Sequence, residues 1–408
     1  MKAAIIVLSV ILVLLIIVAG VLYFTDSGSP DAPSTEPTTT APSTTEPTTE
    51  PPTTEPPTTE PPTTTEPPLE LILQEDVIYL NGETVELYEI NGQDYIAAQT
   101  FADRSGLSLD SQEPLTMSGR LDQVAVSEDG TDLTVNGQTH SVTDAVLVHE
   151  DVPYILFHQL VEALQYPIYT DSESGDLYIT PACRPFEIPA DVNVPVLMYH
   201  AVSDNMWGIN ELFVSPSDME EQLAYLVDNG YDPIWFEDLA YVEDYDKPVI
   251  LTFDDGYDDN YSELYPLLQK YQVKATIFVI GNAPGTNHKM TEEEIKELSD
   301  SGLVSIQSHA YTHDYLNYMG EESLVWELGE SQRVLARITG RVPYVLCYPS
   351  GGYSDLTLEV GERYYLFGLK MNGGLYNTSD DPFLVSRYYV SRYTDIYSFA
   401  SFLTEAGT

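Results

Sequence analysis

Positive charge is scarce in this chain. Lys and Arg number 16 against 65 Asp and Glu in 408 residues, a formal net charge of -49. Nucleic-acid binding needs clustered cations along a phosphate backbone, so that class of function is excluded. The acid is spread along the sequence and reads as a solvated, self-repelling surface, with attraction to a polymer that becomes cationic as the functional alternative. Cysteine is nearly absent: Cys183 and Cys347 are the only two. They fall in different predicted domains and read as free buried thiols, so no disulfide framework is expected. No cysteine lies near the apolar N-terminus to accept a lipid, which excludes a lipoprotein signal. Histidine is limited to seven residues, none after His313, and tryptophan to three, none after Trp326.

Long apolar runs are confined to one place. Residues 4 to 24 carry no charge and are long enough to span about 30 Å of hydrocarbon as a helix. A cleaved signal peptide would have an apolar region of only about 7 to 15 residues ending near a small-residue cleavage site. The expectation is therefore a transmembrane anchor over residues 1–28. Lys2 and the amino terminus are the basic groups beside it, and the next is Arg104. The positive-inside rule then keeps the short N-terminus cytoplasmic and places everything later outside, as a single-pass protein of the cell membrane. Residues 29–68 are Pro, Thr, Ser and Glu with little else, and Thr-Thr-Glu-Pro-Pro recurs between Thr44 and Pro68. Such a linker builds no core and extends to roughly 120 Å at about 3.1 Å per residue.

From residue 69 to 190 short β-patterned runs are punctuated by Asn81-Gly82, Asn91-Gly92 and Asn136-Gly137, dipeptides suited to tight hairpins. Helices are expected at Ile96–Ser105 and Leu156–Leu164. The two halves echo each other, each with a hairpin and then Tyr95-Ile or Tyr154-Ile leading into a helix. This small α+β segment resembles the stalk domain at the N-terminus of copper amine oxidases. No copper site is implied, because His140, His149 and His158 are scattered without ligand spacing. The segment reads as a spacer or wall-contact module.

Residues 191–408 alternate strand and helix patterns, which argues for an α/β layer or barrel built from βα units, and the fold class expected is a distorted (β/α) barrel. Strands are expected at Val194–Tyr199, Val249–Phe253, Ala275–Ile280, Val304–Gln307 and Tyr344–Tyr348. Helices are expected at Ser217–Asn229, Asn260–Tyr271, Thr291–Ser301 and Glu321–Ile338, with Ser217 and Thr291 as N-caps. Two strand ends carry chemistry. Pro248-Val-Ile-Leu-Thr-Phe runs into Asp254-Asp255-Gly256, and Leu303-Val-Ser-Ile runs into Ser308-His309-Ala-Tyr-Thr-His313. The histidines are spaced i and i+4, which one helical turn would place on a common face. One carboxylate with two imidazoles is a hydrolytic metal set.

The ordered set Pro195-Val-Leu-Met-Tyr-His200, Met219-Glu-Glu-Gln-Leu, Thr252 to Gly256, Lys274-Ala-Thr-Ile-Phe-Val and His309 to His313 resembles the polysaccharide deacetylases of carbohydrate esterase family 4. The resemblance implies that Asp255, His309 and His313 hold a divalent metal, zinc, and that Asp254 is the general base. It also exposes departures. Where many members carry an arginine that orients the base, this chain has Cys347, in Cys347-Tyr-Pro-Ser-Gly. Arg387 matches an arginine found late in one family branch and is the candidate to orient the carboxylate instead. The late Leu-x-His motif that supplies a general acid is missing, which leaves His200 as the candidate, with a structural role as its alternative. The usual late tryptophan is missing too, leaving an acetyl pocket to Leu or Met.

The leading reading is an extracellular, metal-dependent enzyme that removes N-acetyl groups from peptidoglycan or a GlcNAc-containing polysaccharide. An O-acetyl polysaccharide esterase and a catalytically impaired glycan-binding or wall-spacing protein are the alternatives. The expected partners are the acetylated glycan and the membrane; no protein partner is evident.

Overall fold

Seven parallel strands form the frame of the C-terminal half: β1 (Val196–Tyr199), β2 (Pro248–Phe253), β3 (Ala275–Val279), β4 (Val304–Ser308), β5 (Val345–Cys347), β6 (Phe367–Leu369) and β7 (Tyr388–Tyr389). The computed structural model describes residues 71–371 and 373–404, so the expected anchor and linker lie outside the described residues. Among the described residues no helix is long and apolar enough to cross a membrane.

The strands lie in the order β6-β5-β4-β3-β2-β1-β7. β2 is buried at every position, as expected of a parallel strand covered on both faces. The sheet curls until its edges approach. Val385 bridges to Leu369 at the β6 edge, and three residues further on Tyr388 and Tyr389 pair with Leu197 and Met198 of β1. Arg387 therefore sits on the seam that joins the two edges.

Helices Pro216–Asp228, Tyr265–Tyr271, Glu292–Asp300 and Glu321–Thr339 connect the strands. Leu223, Leu226, Leu268, Ile295, Leu298 and Leu335 pack with Leu251, Phe253, Ile277 and Val304 into one core. Thr291 caps its helix in a capping box with Glu294. The expected cap at Ser217 is displaced to Ser215, whose side chain accepts from the Asp218 N–H. Pro216 is the reason, because its fixed φ and missing N–H suit the first helical position.

The preceding segment contains the expected hairpins. Asn81, Asn91 and Asn136 and the glycine after each all have positive φ, as a two-residue type I′ turn requires. Its helices run Ala98–Ser105 and Phe157–Ala163. The sequence echo becomes a pairing, since Gln93–Ala97 and Val152–Leu156 run antiparallel with Ile96 opposite Ile155.

The described residues belong to one compact unit, Pro67–Thr408, and the hairpin segment packs under the N-terminal ends of the parallel strands. The Val342 N–H donates to Thr180 Oγ1 at 2.9 Å, and Arg120 pairs with Asp244 and lies over the Tyr241 ring. At Gly340 a Cβ would come within 2.6 Å of the Gly82 carbonyl oxygen. Glycine is needed there because two backbones touch.

Candidate active site

His200, Asp254 and His309 each follow directly on a parallel strand, and Cys347 ends one. Parallel packing therefore collects all four at one rim, at the end opposite the hairpin segment. Asp255 has φ 76°, a left-handed turn that brings its carboxylate back over the strand ends. Its Oδ1 lies 3.4 Å from His309 Nε2 and 3.4 Å from His313 Nε2. Hydrogen bonds are shorter than this. Two ligands each about 2.05 Å from a tetrahedral centre lie about 3.3 Å apart, so the spacing fits a shared metal ion. Three protein ligands leave coordination positions open.

The donor atoms are prepared for a cation. His309 Nδ1 donates to the Cys347 carbonyl at 2.8 Å, which leaves the Nε2 lone pair facing Asp255. Burial works against charge on Asp255, but the nearby His309 imidazole and the charge of Lys289 hold its carboxyl below the usual range. Burial opposes charge on His309 too, yet Cys347 and Asp255 raise it well above the ordinary value, so a positive charge is favoured at Nε2, where a metal ion would take the place of the proton. His313 is pushed down to about 4 by burial and by His309.

The two histidines do not share a helical turn as their spacing suggested. Ala310 and His313 have φ 58° and 66°, and the loop is irregular. Glu327, buried on the helix Glu321–Thr339, holds it in shape. Its Oε1 accepts from the Tyr311 N–H at 3.0 Å, the Thr312 N–H and the Thr312 hydroxyl at 2.9 Å. Sequence reasoning missed Glu327, although a carboxylate on the apolar stripe Leu324, Leu328, Leu335 is a visible anomaly. Lys289 was missed without any such signal. It donates to the Asp255 carbonyl at 2.9 Å and lies 3.6 Å above the Tyr257 ring.

Asp254 lies beside this cluster, buried. Arg387 Nη1 donates to its Oδ1 at 2.7 Å and Nη2 to its Oδ2 at 2.9 Å. Burial alone would raise the carboxyl, but the charge and hydrogen bonds of Arg387 hold it below the ordinary value. Arg387 thus reaches the carboxylate for which the arginine otherwise expected at position 347 was missing. His200 Nε2 stands 4.0 Å from Asp254 Oδ2. Burial lowers its pKa against the pull of Asp254 and Asp255, and its Nδ1 is buried without a hydrogen-bond partner.

Asp254, His309 and Cys347 also offer ligand atoms within 4.8 Å of one another. A cation is excluded there, because Arg387 Nη2 already donates to both Asp254 Oδ2 and Cys347 Sγ, the latter at 3.1 Å. His140, His149 and His158 all lie in the hairpin segment, where His158 faces Asp94 at 3.0 Å.

A curled parallel sheet with Asp254, Asp255, His309 and His313 gathered at its rim defines a class, and comparison with known proteins agrees. The polysaccharide deacetylase family model matches residues 242–366, and the chain belongs to that family of hydrolases. YxkH of Bacillus subtilis, which bears the same family name, is 34% identical over 204 residues, 48% of this chain and 71% of that protein. A poly-β-1,6-N-acetyl-D-glucosamine N-deacetylase of Staphylococcus aureus is 25% identical over 206 residues, 45% of this chain and 68% of that protein. The crystal structure of a polysaccharide deacetylase from Bacillus cereus matches with a TM-score of 0.50 at 24% identity, covering 83% of this chain and 100% of that one. At that coverage the likeness of fold extends beyond the parallel sheet into the hairpin segment.

Proposed function

We propose that the chain is a zinc-dependent de-N-acetylase of an extracellular glycan, either peptidoglycan or a GlcNAc-containing polysaccharide. The observation that carries this reading is the metal-compatible spacing of Asp255, His309 and His313 directly beside a carboxylate clamped by Arg387. The name of the Staphylococcus aureus relative supports the substrate class. The uncharged run at residues 4 to 24 and the Pro/Thr-rich linker support an anchored, extracellular placement.

Asp255, His309 and His313 would hold the ion, whose Lewis acidity activates water and stabilises charge developing on the acetyl oxygen. Asp254 accepts the proton of the attacking water, and the Arg387 fork keeps that carboxylate ionised and fixed in plane. His200 faces the same carboxylate oxygen and passes the proton taken up by Asp254 on to the departing amine. The Cys347 carbonyl holds the His309 tautomer, and Glu327 shapes the loop that carries His313.

Acetate release by the purified protein from chitooligosaccharides, peptidoglycan and acetylated xylan, with and without a chelator, tests the proposal. Chelator-sensitive release from the first or second substrate is expected. Release from xylan alone would make the protein an O-acetyl esterase, and no release after zinc loading would leave a glycan-binding protein.

A further inference from the structure

Arg387 is fully buried and its five N–H donors can each be followed to an acceptor. Nε donates to the Lys370 carbonyl at 2.8 Å. Nη1 donates to Thr252 Oγ1 at 3.1 Å and Asp254 Oδ1 at 2.7 Å. Nη2 donates to Asp254 Oδ2 at 2.9 Å and to Cys347 Sγ at 3.1 Å. The thiol is therefore the acceptor for the last donor of the guanidinium. It is also a donor, since Cys347 Sγ lies 3.5 Å from Asp254 Oδ2. These contacts close a ring in which Arg387 donates to sulfur, sulfur donates to the carboxylate, and the carboxylate accepts from Arg387.

The three members of this ring come from strand β5, the end of β2 and the seam before β7, so they meet only across the interior of the curled sheet. Cys347 has a second attachment through its main chain, whose carbonyl accepts from His309 Nδ1 at 2.8 Å. One residue thus holds a metal-binding imidazole with its backbone and the carboxylate with its side chain. Alanine at this position would keep the carbonyl but orphan one Arg387 N–H where water cannot reach it. It would also leave Asp254 Oδ2 held by Arg387 Nη2 alone, with less to fix its placement relative to His200 Nε2, 4.0 Å away.

We infer that Cys347 is a positioning residue, whose thiol fixes the orientation of Asp254 by bridging it to Arg387. This rests on the proposed deacetylase reading for its kinetic consequence, though the ring itself does not. A buried donor left without its acceptor, next to a charged pair, corresponds to about a tenfold effect on rate.

The test compares the zinc-loaded full chain with Cys347→Ala and Cys347→Ser in acetate release from a chitooligosaccharide. Cys347→Ala should lower kcat about tenfold, leave KM within about twofold, and keep the same zinc content because the carbonyl remains. Cys347→Ser should recover most of the loss, since a hydroxyl both donates and accepts. The infrared S–H band of Cys347, read in a Cys183→Ala background, supplies a measurement independent of turnover. It should move to higher frequency in Asp254→Leu, which removes the acceptor. A shifted band in a protein that releases no acetate would sink the proposed function and leave the ring standing. Wild-type kcat in Cys347→Ala, a serine variant as slow as the alanine one, or an unmoved S–H band would each overturn the inference.

Discussion

Arg387 and Asp254 lie 133 residues apart in sequence and meet in a two-pronged pair, at 2.7 and 2.9 Å, with neither side chain open to solvent. Removing one partner of a buried pair strands the other charge and costs about 3–5 kcal/mol. Arg387→Met is therefore expected to lower the melting temperature and to slow acetate release about 100-fold through misplacement of the base. Thermal denaturation and steady-state kinetics on one preparation would check both. Unchanged kcat would show that the pair serves stability alone.

Base and metal ligands should separate cleanly. Asp254→Asn is expected to keep one zinc per chain while acetate release falls about 1000-fold, within the range of a lost general base. His309→Ala should lose zinc and activity together, since its Nε2 faces the shared Asp255 oxygen. Metal analysis after dialysis, beside an acetate assay, distinguishes the two. Full release by either variant would refute the assignment.

Asp259 predicts a pH dependence of stability. Its Oδ1 accepts from the Val202 N–H at 2.9 Å, its Oδ2 is buried without a partner, and burial raises its carboxyl to about 6. A raised carboxyl favours the folded state only while protonated. Stability from this group therefore falls as pH rises from about 4 through about 6 and stays low above that, by up to about 3 kcal/mol. Asp259→Asn should flatten urea-denaturation stability across that window and raise it at pH 7. A steeper profile in the variant would contradict this.

Gly340 predicts a cost at the junction between the hairpin segment and the parallel sheet. Its φ is 74°, and an added Cβ would meet the Gly82 carbonyl oxygen at 2.6 Å. Gly340→Ala combines left-handed strain with a backbone clash and should destabilise by about 2–4 kcal/mol. Serine at Gly302, which also has positive φ but nothing within 4 Å, should cost only about 1 kcal/mol. Parallel melts of the two variants separate strain from clash.

Much of the frame was legible because local pattern dictates it. β2 reads as an unbroken apolar run since both its faces are covered, and each Asn-Gly pair states its own turn. Cap placement failed where Pro216 outweighed a hydroxyl one residue later. The helical spacing of His309 and His313 misled for a related reason. Glu327, contributed by a distant helix, imposes a loop that the local sequence does not announce.

Asp254, Asp255, His309 and His313 could be named as candidates from the sequence alone, because each pair lies within one strand-end segment and neighbours in a chain cannot separate. Arg387 was available only as a candidate, matched to a family position without a partner. Tertiary structure alone placed its guanidinium on Asp254, the Cys347 thiol between them and the Cys347 carbonyl on His309. Those contacts span the interior of a curled sheet. They exist only once β1 and β6 are brought together along the Val385–Tyr389 seam, and no periodicity along the chain encodes that closure.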